Sequence, residues 1–296
     1  MKLSLFSISY GGFWGQDTLT LSDFFAKAKG LGYDSVMLAG KRPHVSPLDM
    51  CDTKLQQLRQ QLDQHELSCG VLAAYTDLSP SSAAEVPYLE MQIAYVASLS
   101  RIAQAVGASV VRVFTSYEID GHSPSSIWQG VVRTLREMCD RSAEHSVTIA
   151  IQNHHDIAVH SDALLELLAD IDRPNCKLGC DAWSPALRGE DLYEMARKLA
   201  PHTAITTNAD YVRLPRFHYR PELINYQRVE PDMVRAVKFG EGFIDYRSFF
   251  RGLQDGGFDG IANYEMCSPI RGGGEMANLD AYARTYIEWM HAHAAG

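Results

Sequence analysis

Short apolar runs alternate with longer stretches of helical periodicity along this 296-residue chain, and that alternation constrains the fold more than any single motif. The apolar runs occupy residues 3–8, 35–38, 68–73, 110–114, 147–152, 177–181, 204–207 and 260–265. Helical stretches follow at 22–29, 53–65, 88–105, 126–144, 161–171, 191–199, 246–254 and 278–291. Ser22 and Ser161 read as N-terminal caps, Gly30 and Gly107 as stops, and Pro174 forbids continuation of the helix before it. Strands that alternate with helices form parallel βαβ units. Eight such units close into an α/β (β/α)8 TIM barrel. The competing arrangement is an open doubly wound sheet, which carries an early glycine fingerprint. Tyr10-Gly11-Gly12-Phe13 is not GxGxxG. No linker or shift in composition divides the chain, so residues 1–296 are expected to form one domain.

Charge and hydropathy narrow the function classes. The net charge is −9, which disfavours a phosphate backbone as partner, so no nucleic acid is expected. No apolar run approaches the ~20 residues of a membrane span. The start, MKLSLFSIS, reads as a first strand rather than a secretory signal. Six scattered cysteines without a CxxC pair read as thiols in a reducing cytoplasm. Cys267 stands apart, two residues beyond a carboxylate that matters below.

Residues 211–242 lack a confident helix and are expected to form a long lid or insertion loop after strand seven. Six cations, among them Arg213, Arg216 and Arg220, face four acids there, and Tyr211, Phe217, Tyr219 and Tyr226 could stack on a ligand. A subunit interface accounts for the same composition, and the two roles are compatible.

Active sites of such barrels lie at the C-terminal ends of the strands. Strand five, VTIAIQNHH, alternates so that Thr148, Ala150, Gln152 and His154 share the side facing the bore, with His155 facing away. Asp181 ends strand six and Glu265 ends strand eight. A carboxylate closing an apolar strand is expensive unless it is paired, hydrogen-bonded or on a metal. Oxygen ligands with an amide or imidazole suit Mn²⁺, Mg²⁺ or Zn²⁺, giving Gln152, His154, Asp181 and Glu265 as candidate ligands. The bland account is a salt-bridged rim with Arg112 as partner. Glu265 and His154 are the catalytic candidates. Trp14, His44, Gln152, Trp183, Asp210, Tyr211 and Arg271 are candidate substrate contacts. Trp14 and Trp183 would be walls for a ring, and Arg271-Gly-Gly-Gly an anion turn.

These residues resemble the xylose-isomerase-like TIM-barrel superfamily, the sugar phosphate isomerase/epimerase family, over essentially the whole chain. The resemblance rests on IAIQNHH, LGCDAW and the tail FGEGFIDYRSFFRGLQDGGFDGIANYEM. It implies one divalent ion held by Glu, Asp, His and Glu from strands five to eight, the two Glu residues serving as acid and base. Asp181 and Glu265 match. Gln152 stands in place of the first Glu, and Thr207 in place of the His. Gln offers a neutral oxygen but takes no proton at pH 7. The DNA-repair endonucleases of the same superfamily need many more His and acidic ligands than stand here.

The resemblance implies an isomerase or epimerase moving a proton next to a carbonyl of a sugar, keto-sugar or cyclitol, with or without metal. A lyase eliminating water from a keto-sugar is one alternative. A non-catalytic sugar-binding barrel or accessory subunit is the other. A small carbohydrate ligand and a homo-oligomer, dimer or tetramer, are the expected partners.

Overall fold

The structure is a computed structural model that describes residues 1–81 and 85–294. Eight parallel strands close into a barrel: β1 (Lys2–Phe6), β2 (Ser35–Ala39), β3 (Ser68–Ala73), β4 (Val110–Val113), β5 (Thr148–Gln152), β6 (Cys176–Asp181), β7 (Thr203–Asn208) and, after two further strands, β10 (Ile261–Tyr264). β10 pairs with both β7 and β1 and seals the ring. The helices wrap outside it: α1 (Leu21–Gly30), α2 (Asp52–Gln64), α3 (Tyr88–Val106), α4 (Pro124–Ala143), α5 (Ser161–Ile171), α6 (Trp183–Arg188), α7 (Leu192–Leu199), α8 (Tyr246–Asp255) and α9 (Met276–His293). No helix among the described residues is long and apolar enough to cross a membrane.

The helix starts follow local hydrogen-bond chemistry. Thr20, rather than Ser22, caps α1 by accepting from the Asp23 N–H. His160, one residue before the expected Ser161, caps α5 through its ring nitrogen. Asp191 and Asp245 cap α7 and α8 in the same way.

Two apolar clusters divide the interior. The larger packs strands against helices and includes Leu5, Val36, Leu72, Val111, Ile149, Ile151 and Leu178. The smaller fills the bore with Phe6, Ile8, Met37, Ala39, Val71, Ala73, Val110, Ala150 and Ile205. Ala150 in the bore, with Ile149 and Ile151 outside it, is the alternation expected of strand five. The same parity carries Arg112, Gln152, Asp181 and Thr207 to the mouth end of the bore, each 4% exposed or less.

The segment expected to be a long loop is instead an antiparallel ribbon, β8 (Asp210–Arg220) and β9 (Asn225–Val237). Alternating β-branched and aromatic residues favour a strand even when both faces meet water. Asp210 anchors its base: Oδ2 accepts the Gly240 and Gly242 N–H groups at 2.9 Å each, and Oδ1 accepts the Tyr211 N–H at 2.9 Å. A Cβ on Gly242 would fall 1.9 Å from Asp210 Oδ1, so only glycine fits this close approach. Phe217, Tyr219 and Tyr226 project into solvent, and none lines the cavity described next.

Candidate active site

A cavity of about 410 Å³ opens at the C-terminal mouth of the barrel. Its lining comes from nearly the whole ring: Phe6 and Ile8 from β1 and the turn after it, Lys41 after β2, Tyr75 and Asp77 after β3, Arg112 and Phe114 at β4, Gln152, His154 and His155 at β5, Glu265 and Cys267 after β10. Tyr88, Tyr117 and Trp14 form the outer rim.

Four of the candidates from the sequence meet here: Trp14, Gln152, His154 and Glu265. Asp181 lies behind Gln152, whose Nε2 donates to Asp181 Oδ2 at 3.0 Å. The ionised Asp181 carboxylate only accepts, and the Gln152 amide then presents its NH₂ there. Its Oε1 is then buried without a partner, an acceptor left for a ligand hydroxyl. Asp181 Oδ1 accepts the Trp183 N–H at 2.6 Å. Burial pushes the Asp181 carboxyl up to about 7, reinforced by the nearby Glu265 charge. Burial also raises Glu265, against the opposing pull of Arg112 and of the Cys267 thiol hydrogen-bonded to it. The Tyr211 hydroxyl meets that thiol at 3.9 Å, so Tyr211 reaches the site through Cys267 rather than by lining it.

Both histidines of strand five line the cavity. His155 was expected to face away, but the strand ends at Gln152 and alternation ends with it. The His154 N–H closes a tight turn onto the Gln152 carbonyl at 2.7 Å, and His155 takes φ 71°. A left-handed backbone at a non-glycine residue costs on the order of 1 kcal/mol or more and gathers at functional sites. The turn stacks the His155 ring on Tyr117, centroids 4.1 Å apart, and on Phe114, 4.7 Å apart. His154 Nδ1 accepts the His155 N–H at 2.8 Å, which assigns the proton to Nε2. Burial, then the His155 and Arg112 charges, hold His154 down to about 4. It is therefore a neutral N–H donor at pH 7 and a poor base.

The remaining candidates sit elsewhere. His44 is 3% exposed in the core, with Nδ1 on the Ser7 hydroxyl at 3.0 Å and its ring stacked on Phe24. Asp210 is the ribbon anchor. Trp183 begins α6 behind His154, ring centroids 6.0 Å apart. Arg271 is exposed outside the cavity, its backbone paired with Ala236.

The other half of the mouth is built by Arg112, expected only as the partner of a salt-bridged rim, together with Lys41 and Tyr75, which no strand pattern singled out. Arg112 is 1% exposed, clamped with Cζ 4.0 Å from the Phe114 ring centroid, and donates Nη1 to the Ala74 carbonyl at 2.9 Å. Its Nε has no partner. Lys41 Nζ sits 3.7 Å from the Tyr75 ring centroid and 4.4 Å from that of Phe13. An arginine inside the apolar run VVRVF was the sequence signal for this half.

The candidate ligands do not fit a divalent ion. Among the described residues no group of three or more His, Cys, Asp and Glu side chains is placed to hold one. The Gln152 amide turns its donor side to Asp181, His154 Nδ1 is engaged by the next residue, and the buried Thr207 Oγ1 offers only a hydroxyl.

Comparison with known proteins agrees with this architecture. Over 261 residues the chain is 22% identical to a 3-dehydroshikimate dehydratase from Bacillus anthracis, covering 86% of this chain and 88% of that one. The crystal structure of a probable 3-DHS dehydratase of petrobactin synthesis from the same organism superposes with a TM-score of 0.73 at 18% identity, covering 98% and 99% of the two chains. A D-psicose 3-epimerase from Clostridium cellulolyticum H10 superposes with a TM-score of 0.75 at 13% identity, covering 99% of each chain. The family model for the xylose isomerase-like TIM barrel matches residues 25–293, and the chain belongs to that family.

Proposed function

We propose that the chain is an acid–base enzyme that takes a proton from the carbon beside a carbonyl of a small polyhydroxylated compound, with Glu265 as base, and then expels a β-hydroxyl as water. The observation that carries this reading is that Glu265 opens onto the cavity while Gln152, which takes no proton, occupies the position of a second base. Epimerisation by two bases needs a proton carrier on each face of the carbon. Elimination needs one carboxylate.

Glu265 takes the proton as the C–H electron pair moves toward the carbonyl oxygen, giving an enolate. Collapse of the enolate expels the hydroxyl on the next carbon, which recovers the proton from the Glu265 carboxylic acid and leaves as water. The carboxylate is regenerated, and no oxidant or reductant is consumed. The raised affinity of Glu265 for a proton suits this return. The His154 Nε2–H is a donor suited to the developing oxyanion, and Gln152 Oε1 an acceptor for a substrate hydroxyl. The relative named as a dehydratase supports elimination. Isomerisation by the same single base is the second reading, supported by the same return of the proton.

In D₂O the enzyme is expected to exchange the C–H beside the carbonyl of a keto-cyclitol or keto-sugar substrate and to accumulate the dehydrated product, followed by NMR. Exchange without loss of water would shift the assignment to isomerisation. Glu265→Gln is expected to abolish both signals with the fold intact, and normal turnover by that variant would sink the role given to Glu265.

A further inference from the structure

The proton-transfer reading uses the β5 to β10 side of the cavity and leaves its two cations unemployed. Arg112 lies on the fourth barrel strand, diametrically opposite the eighth, from which Glu265 follows. Its guanidinium and the Lys41 ammonium both lie against the Tyr75 ring, 5.2 and 3.7 Å from the centroid. Among the described residues neither cation has a carboxylate within salt-bridge distance. Asp77, the nearby acid of the lining, has one oxygen engaged by the backbone N–H and hydroxyl of Ser79. The Arg112 Nε–H and the Tyr75 hydroxyl are buried without partners. A buried donor left unpaired is costly, and more so when it is charged. Two cations and an orphan hydroxyl converging on one wall therefore describe a site built for an anion that arrives with the ligand.

We infer that this wall receives a carboxylate of the substrate, held between the Lys41 ammonium and the free Nε–H edge of Arg112 with the Tyr75 hydroxyl as third donor. The inference deepens the proton-transfer reading, on which it rests for taking this cavity as the active site. A planar carboxylate matches the in-plane edge of a guanidinium, and the three aromatic rings around Arg112 hold that edge in place. Phosphate is the other oxyanion of comparable charge. Phosphate sites recruit backbone N–H groups from glycine-rich turns or helix N-termini. The glycine-rich turn Arg271-Gly272-Gly273-Gly274 lies outside the cavity, and the Arg271 and Gly273 N–H groups are bonded within the protein. The substrate class is thus a carboxylated, hydroxylated carbonyl compound rather than a neutral or phosphorylated sugar.

Equilibrium binding of three cyclitols of similar ring size tests this: quinate, which carries a carboxylate, neutral myo-inositol, and myo-inositol 1-phosphate. Quinate is expected to bind about 10-fold or more tightly than either of the others, the range of a charge-assisted bidentate contact. Lys41→Met is expected to lower the quinate-to-inositol ratio several-fold, and Lys41→Arg to preserve it. Equal binding of quinate and inositol, tighter binding of the phosphate, binding of none of the three below about 10 mM, or an unchanged ratio in Lys41→Met would each overturn the inference. The same titration on Glu265→Gln separates the two claims. A preserved ratio there with turnover also preserved would sink the proton-transfer role alone, while turnover of neutral sugars with no charge preference would sink the carboxylate site alone.

Discussion

The mouth of the barrel has two unlike halves. From β5 round to β10 it presents the Glu265 carboxylate, with Asp181 behind Gln152, the unpartnered buried oxygens of Gln152 and Thr207, and a neutral histidine. From β2 to β4 it presents two cations among aromatic rings. The first half holds carboxyls whose affinity for a proton is raised by burial. The second holds two cations with no carboxylate within ion-pair distance among the described residues, Arg112 acting on Glu265 only across the bore. A site divided this way separates the step that changes the substrate from the contact that places it, and mutations on the two sides should separate kinetically. Glu265→Gln is expected to lower kcat by about 10³-fold, the range of a lost general base. Lys41→Met is expected to raise KM by about 10-fold with kcat changed by less than about 3-fold, as for removal of a uniform binding contact. If both variants lowered kcat alone, the division would fail.

Asp181 provides the next largest effect, and it concerns stability. Its carboxyl is raised from an ordinary value of 3.8 to about 7, first by burial and then by Glu265. The folded state therefore keeps a proton that the unfolded chain releases between pH 4 and 7. The favourable contribution is complete below pH 4, falls as pH rises through 7, and is absent above it. Asp181→Asn keeps an acceptor for the Trp183 N–H and carries no charge. It is expected to stabilise the fold at pH 8 by on the order of 4 kcal/mol relative to the parent, and by nothing near pH 4. Urea denaturation at the two pH values measures this. An equal shift at both would mean that Asp181 does not carry the buried charge.

The same two halves explain what the sequence could and could not disclose. Strand positions were legible because apolar runs of period 2 and helices with caps leave local signals, and Ser68–Ala73 and Ser161–Ile171 have the boundaries their patterns imply. Glu265 and Gln152 were legible as polar residues closing apolar strands. The cationic half was not, because Lys41 and Tyr75 follow their strands by two residues and their convergence depends on barrel closure, a long-range property. His155 was misread because alternation holds only while the strand lasts. The ribbon was misread because a hairpin exposed on both faces carries no amphipathic signal, and strands so rich in charged and aromatic residues look like a loop.

Asp210 looked like a site residue and is an anchor instead. Asp210→Ala would strand three N–H groups, those of Tyr211, Gly240 and Gly242, at a position 1% exposed. A loss of about 3 kcal/mol of stability is expected, with KM for the substrate within about 2-fold of the parent. Thermal denaturation together with steady-state kinetics distinguishes the two roles, since a direct substrate contact would raise KM at unchanged stability.

The smallest expected effect bears on the family's metal. In the parent protein the side chains beside Asp181 on the barrel lip are an amide and a hydroxyl, for the register sets Asp181 opposite Thr207 and Gln152 opposite Gly179. Neither is an anionic or imidazole ligand, and hard or borderline cations bind weakly without them. Dialysis against EDTA is accordingly expected to change turnover by less than about 2-fold, whereas the double substitution Gln152→Glu with Thr207→His restores carboxylate and imidazole and is expected to bind Mn²⁺ with about 1:1 stoichiometry by calorimetry. The Lys41 and Arg112 side of the mouth is untouched by either manipulation, so the preference for a carboxylated ligand should survive both. A parent enzyme inactivated by EDTA and restored by Mn²⁺ would show that the acidic half works as a metal centre after all, with Gln152 as a neutral oxygen ligand, and would remove the proposed independence of the two halves.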